Sequence, residues 1–272
     1  MHILFIGDIV GKPGREILRR TLPSLVAHHQ INLVIANVEN AAGGMGVTRD
    51  VAEAIRDIGV DVMTSGNHIW DKKEALDYIE LEPRLIRPAN YPDAPGAGHY
   101  VARTADGLAV GVINIMGRVF MNPLDNPFHV VRREIDIVQK QATVILVDFH
   151  AEATSEKLAM GWHLDGAVTA VVGTHTHVQT ADERVLPKGT AYITDVGMTG
   201  PHDSIIGVEA TAVLSRFMTG RPSRFETASA NPRINGVVIS ADPATGRAKS
   251  IVRVSLAESG VGALASTPMS RA

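Results

Sequence analysis

The 272-residue sequence contains no cysteine. That absence excludes a disulfide framework, a thiolate zinc site, an iron–sulfur cluster and a cysteine nucleophile. Aromatic residues make up only 4% of the chain, too few for an evident base-stacking platform. Neither sign of charge dominates: 26 Lys and Arg stand against 29 Asp and Glu, for a net charge of −3, so there is no basic footprint for duplex nucleic acid. Long apolar runs are missing too. Met1–Ile6 has no basic leader and meets Asp8 at once, and Leu108–Met116 is broken by Gly and Asn far short of a membrane span. The expectation is a cytoplasmic protein with no membrane partner. Any metal must be held by imidazole, carboxylate or amide groups.

What the chain does have is an ordinary globular composition, 45% hydrophobic, and enough length to bury a core without staples. Short apolar runs alternate with amphipathic stretches. Ile3–Ile6, Leu33–Asn37, Val60–Thr64, Val144–Val147, Val168–Val172 and Ala191–Thr194 read as strands. Helices are expected from Pro13 or Gly14 to about Ala27, over Val51–Ile58, near Arg132–Gln141 and near Ala210–Phe217, with Pro23 expected to interrupt or kink the first. This rhythm is that of βαβ units with parallel pairing. Two hairpins are added: Tyr100–Arg103 with Leu108–Ile115 around Asp106-Gly107, and Gly236–Ser240 with Ser250–Val254. No internal linker divides the chain, so residues 1–272 read as one α/β domain with mixed sheets, and about 262–272 as a frayed tail.

In α/β folds ligands bind beyond the carboxyl ends of parallel strands. Five such ends here carry metal-binding residue types: Gly7-Asp8; Asn37-Val38-Glu39-Asn40; Gly66-Asn67-His68; Asp148-Phe149-His150-Ala151-Glu152; and Gly173-Thr174-His175-Thr176-His177. Taken singly, each has an ordinary explanation as a cap, a turn or a satisfied interior imidazole. The pair His175-x-His177 is the strongest, because residues i and i+2 project to one side of an extended chain. Five consecutive ends with such groups are more than capping or packing requires, and seven or eight ligands exceed what one ion needs. Imidazole with carboxylate and amide suits Fe, Mn, Zn or Ni. Two ions about 3.5–4 Å apart can share a hydroxide and neutralise a phosphoryl group during in-line displacement.

Other motifs fare worse. Gly7–Pro13 is one residue short of a phosphate loop, with Pro13 where Ser or Thr should stand, and neither G-x-G-x-x-G nor G-x-S-x-G occurs at a suitable place. Lys12 and Arg15, near a helix start, are candidates for attracting phosphate, against an ordinary reading as solvated surface. The glycine-rich segment Ala41–Gly46 is a candidate lip over the site, and Gly197–Asp203 with His202 a candidate substrate contact.

These motifs, in this order, resemble the calcineurin-like metallophosphoesterase superfamily. Two departures stand out: Val10 occupies the place of an imidazole ligand, and Glu39 that of the bridging Asp. With the runs Gly7–Arg15, Asn37–Gly44, Asp148–Lys157 and Thr194–Pro201, they narrow the likeness to the YmdB-like branch, 2′,3′-cyclic-nucleotide 2′-phosphodiesterases. The resemblance implies a four-layer α/β/β/α sandwich and two ions, iron or manganese. It implies Asp8, Glu39, Asn40 and His177 on one ion, Glu39, Asn67, His150 and His175 on the other, and His68 as proton donor to the leaving oxygen. It further implies hydrolysis of small cyclic nucleotides by attack of the bridging hydroxide. An imidazolium at His68 would need a carboxylate beside it, Asp71 or Asp8. Two rivals are carried forward: a phosphomonoesterase or protein phosphatase, and a non-catalytic nucleotide or metal sensor. Homo-oligomerisation is left open.

Overall fold

Each buried strand shows the period-2 alternation that lets a sheet face two layers at once. In the computed structural model, which describes residues 1–260, the chain runs as follows. The first half comprises β1 (His2–Ile6), β2 (Asp8–Ile9), α1 (Gly11–His29), β3 (Leu33–Asn37), α2 (Arg49–Ile58), β4 (Val62–Thr64), α3 (Lys73–Leu81), β5 (His99–Arg103) and β6 (Ala109–Met116). It continues through α4 (Pro127–Val138), β7 (Val144–His150), α5 (Thr154–Leu164), β8 (Ala170–Thr174), β9 (Arg184–Val185), β10 (Ala191–Ile193) and β11 (Met198–Pro201). The last elements are α6 (Ala210–Thr219), β12 (Pro232–Ala241) and β13 (Ala248–Ala257). The expected frayed tail at 262–272 lies outside the described residues.

Two sheets result. One runs β2-β11-β12-β1-β3-β4, with β13 also paired to β12, and the other β5-β6-β7-β8-β10-β9. Strands β1, β3 and β4 are parallel, as are β6, β7, β8 and β10. On β1, Ile3 and Phe5 point between the sheets, while Leu4 and Ile6 face the helices. On β7, Val144 and Leu146 point between the sheets, while Ile145 and Val147 meet α4 and α5 through Val131, Ile135, Met160 and Leu164. Leu18, Leu22, Ile55 and Ile79 of α1 to α3 cover the first sheet. The layers are therefore α/β/β/α, as expected, with mixed sheets.

Local departures have local causes. Helix α1 runs through Pro23 unbroken, because Pro23 and Arg19, whose carbonyl it leaves unpaired, are both exposed to water. Helix α4 begins at Pro127, earlier than expected, since the Asn126 side chain accepts from the Phe128 N–H and caps it. Helices α3 and α5 are additions to the expected set. The apolar stripe of α5 is obscured by Glu156 and Lys157, charged residues on its buried face.

Those two side chains tie the fold to the strand ends. Glu156 accepts hydrogen bonds from the backbone N–H of Arg118 and Val119. Lys157, 1% exposed, donates to Asp195 Oδ2 at 2.6 Å and to the Thr174 carbonyl at 2.8 Å. Asp195 in turn accepts from Thr176 N and Oγ1, and from Gly197 N. One buried ion pair thus joins α5, the end of β8 and the β10–β11 connection. Replacing Lys157 by Met would leave a buried carboxylate without its cation, and is expected to lower unfolding stability by about 3–5 kcal/mol. Urea titration of both proteins checks this; a midpoint equal to that of the wild type would show that the pair contributes nothing.

Candidate metal centre

All five strand ends meet where the two sheets meet. The first sheet brings Asp8, Glu39, Asn40, Asn67 and His68 from beyond β1, β3 and β4; the second brings His150 from the end of β7 and His175 and His177 from beyond β8. The centre of the cluster is His150 Nε2. Glu39 Oε1, Asn67 Oδ1 and His175 Nδ1 each lie 3.0 Å from it. A carboxylate oxygen and the two ring nitrogens of Glu39, His150 and His175 fall within 4.8 Å of one another, close enough to share an ion.

A second group adjoins the first. His177 Nε2 lies 3.9 Å from Asp8 Oδ1 and 3.2 Å from the Asn40 amide nitrogen, which is 3.4 Å from Glu39 Oε1. Asp8, Glu39 and His150 are fully buried, and Asp8 Oδ1 has no hydrogen-bond partner among the described residues. A buried oxygen left without a donor carries a full desolvation cost unless something else satisfies it.

The outer nitrogen of each histidine is engaged, which fixes the ring and turns the other nitrogen inward, as in metal sites. His177 Nδ1 is 2.8 Å from the Ile206 carbonyl, and His175 Nε2 is 3.3 Å from Glu152 Oε2. His150 Nδ1 meets Thr174 Oγ1 at 2.9 Å, and that hydroxyl donates to Asp148 Oδ1 at 2.7 Å. Thr64 and Asn37 donate to the other Asp148 oxygen. Gly66 makes the close packing feasible, because a Cβ there would overlap His150 Nε2 and Glu39 Oε2.

Electrostatics point to the same conclusion. Burial favours a protonated Glu39, but the His150 charge and hydrogen bond outweigh it and pull the carboxyl down to about 2. Burial opposes charging of His150, yet Glu39 lifts the imidazole to about 9. Burial, reinforced by the His150 charge, pushes His175 down to about 3. Burial also raises Asp148 to about 7 and holds Asp8 above its ordinary range. One proton on His150 therefore faces three acceptors. A single N–H cannot satisfy three lone-pair donors, whereas a cation at their centre can, so the residues fit a metal ion.

His68 stands apart from these contacts. Its Nδ1 lies 2.8 Å from Asp71 Oδ2, which settles the choice between Asp71 and Asp8, and its backbone N–H donates to Glu39 Oε2 at 3.0 Å. Glu39, Asn40, His68, Glu152, His175 and His177 open onto a cavity of about 410 Å³, and Gly44 and Met45 of the expected lip line it too.

Other expectations are corrected. The His175-x-His177 segment is not extended: both residues have left-handed backbone, φ 98° and 67°, and they turn to different partners. What holds Thr176 between them is Asp195, so convergence comes from tertiary hydrogen bonds rather than strand geometry. Lys12 and Arg15 face a groove between α1 and α2, outside the cavity. His202 lies in an adjoining groove behind His177, bonded to the Gly200 carbonyl and Asn235, rather than in the cavity itself. Sequence reasoning missed the Thr174–Asp148 relay and the Ile206 carbonyl. A Thr one residue before His175 was the available signal for the first; nothing in the sequence marks the second.

The chain matches the family model described as YmdB-like protein over residues 4–254. It is 50% identical over 255 residues to the 2′,3′-cyclic-nucleotide 2′-phosphodiesterase of Bacillus subtilis (strain 168), an alignment covering 93% of this chain and 96% of that one. A hypothetical protein from Thermus thermophilus, of solved structure, superposes with a TM-score of 0.88 at 42% identity, over 94% of this chain and 99% of that one. The crystal structure of a novel phosphatase from Mycoplasma pneumoniae gives a TM-score of 0.88 at 35% identity, over 94% and 93% of the two chains. No described helix is long and apolar enough to cross a membrane. With the fold, the strand-end cluster and these relatives in agreement, the chain belongs to the YmdB-like family and is a hydrolase of the metallophosphoesterase type.

Proposed function

We propose that the chain hydrolyses 2′,3′-cyclic nucleotides at a centre that takes two metal ions, iron or manganese. The observation that carries this reading is the surplus of lone pairs at the strand ends, where one N–H faces three acceptors and Asp8 Oδ1 is met by no donor among the described residues. Asp8, Glu39, Asn40 and His177 would hold one ion, and Glu39, Asn67, His150 and His175 the other, with Glu39 common to both. For this, the Asn40 amide must turn half a revolution, so that its oxygen replaces the nitrogen now facing His177. Imidazole mixed with carboxylate and amide favours iron or manganese over calcium or magnesium. When bound, such ions supply positive charge to the phosphoryl oxygens and acidify an attacking water.

The substrate class follows the name of the Bacillus subtilis relative, a 2′,3′-cyclic-nucleotide 2′-phosphodiesterase. In that reaction the oxygen of water joins phosphorus, the P–O2′ bond breaks, and O2′ leaves with a proton, giving a 3′-phosphate. His68 would donate that proton. Asp71 holds Nδ1, which leaves Nε2 as the end that delivers it, and the bond from His68 N to Glu39 keeps the imidazole beside the cluster. A sensor that only binds ligand has no use for such an acid.

Chelation should abolish turnover of 2′,3′-cyclic AMP, and Mn²⁺ or Fe²⁺ should restore it; turnover that survives complete metal removal, verified by elemental analysis, would sink the reading. In the metal-loaded enzyme, His68→Ala should lower kcat by about 10²–10⁴-fold while metal content is retained. Glu39→Gln should instead lower the metal content itself, from two equivalents per chain. A His68→Ala enzyme as fast as the wild type removes the acid role, and faster hydrolysis of p-nitrophenyl phosphate than of the cyclic diester would point to a phosphomonoesterase.

A further inference from the structure

The cavity over the proposed centre has two chemical halves. Beside the polar groups, it is lined by Val10, Met45, Ile206, Val208 and Phe225. Met45 and Ile206 are 43% and 52% exposed, so both present apolar surface beside the charged cluster. Neither takes part in the cores that hold the two sheets.

The apolar half is built rather than incidental. Ile206 has a left-handed backbone, φ 48°, which a β-branched residue seldom adopts. It is held there by reciprocal bonds between Ile205 and Val208, and by His177 Nδ1 on its own carbonyl. A strained residue that persists at a cavity mouth points to a role there. Phe225 is braced as well, with the Arg216 guanidinium over its ring at 5.2 Å. Thr227, which bridges to Val208, seats this segment against Gly44, whose missing Cβ leaves room for the Thr227 hydroxyl.

We propose that Met45, Ile206, Val208 and Phe225 form the subsite for the nucleobase, with Phe225 the specificity-determining residue. The inference rests on the cyclic-nucleotide reading of the same cavity, and adds how the non-reacting end of the substrate is chosen. A ligand with a phosphodiester at one end and a flat, largely apolar base at the other matches both halves of the cavity. Among the described residues that line this half, the polar side chain is that of Thr227, with the Arg216 guanidinium against the Phe225 ring, so the base is recognised by contact area rather than by a hydrogen-bond code. The subsite therefore accepts adenine and guanine alike, and favours both over the smaller pyrimidines.

The test compares 2′,3′-cyclic AMP with a base-free analogue, the 2′,3′-cyclic phosphate of methyl riboside, on metal-loaded enzyme. In Phe225→Ala, the ratio of kcat/KM for the nucleotide to that for the analogue should fall about 10–100-fold, mainly through KM, the range expected for losing one stacked base. Phe225→Trp should keep the ratio near that of the wild type, and Met45→Ala should move it in the same direction as Phe225→Ala but less. Equal losses on both substrates, or an unchanged ratio in Phe225→Ala, overturn the subsite while leaving the phosphodiesterase reading intact. If the wild type hydrolyses neither compound, the phosphodiesterase reading fails first, and the subsite with it.

Discussion

The interaction on which the arrangement of this molecule turns is the buried contact of Lys157 with Asp195. Two opposite charges removed from water need excellent geometry and further hydrogen bonds to offset desolvation. Here the extra bonds are to Thr174, Thr176 and Gly197, so satisfying the pair also sets the path of the chain that carries His175 and His177. Left-handed backbone at two non-glycine residues is tolerated because the segment between them is pinned at Thr176. The positions of the histidines are thus a consequence of charge burial one layer deeper, in α5 and beyond β10.

The cluster itself follows from scarcity of protons. Seven groups that can offer lone pairs converge from two sheets, yet few donors are available to them inside the fold. Thr174, the Ile206 carbonyl and Glu152 engage the outward nitrogens of the three histidines, which leaves the inward nitrogens facing oxygen and each other. Among these side chains, His150 outweighs burial and pulls the Glu39 carboxyl down, Glu39 lifts His150, and burial with the His150 charge pushes His175 down. That electrostatic tension is built into the placement of the side chains.

Much of this was legible in the sequence, for identifiable reasons. Parallel strands bury both faces, so β1, β3, β7 and β8 stand out as apolar runs, and the polar residues that end them mark the site. The ordered set Asp8, Glu39, Asn67-His68, His150 and His175-x-His177 could be read because each residue ends a strand or follows one within four residues. What escaped reading depends on contacts between distant segments. Helix α5 hides its apolar face behind Lys157 and Glu156, whose burial makes sense only with Asp195 and the 118–119 backbone in place. The expected extended geometry of His175-x-His177 was wrong because local propensity cannot anticipate a turn fixed by Asp195. Asp71 was one of two candidates beside His68, and only the fold could choose between them. Ile206 and Phe225 come from irregular segments far along the chain, with nothing in their spacing to announce a shared wall.

The division of the cluster between the two sheets has a consequence for the whole protein. Asp8, Glu39, Asn40 and Asn67 are carried by one sheet and the loops that leave its strands, and His150, His175 and His177 by the other. Under the proposed two-ion reading, ions held by both sets would act as rivets across the central interface of the sandwich. Occupancy would then be felt in global unfolding, since a ligand bound only to the folded form stabilises it in proportion to the logarithm of its concentration over its dissociation constant. Metal supply would then govern the stability of the contact between the two sheets, as well as the rate of the chemistry.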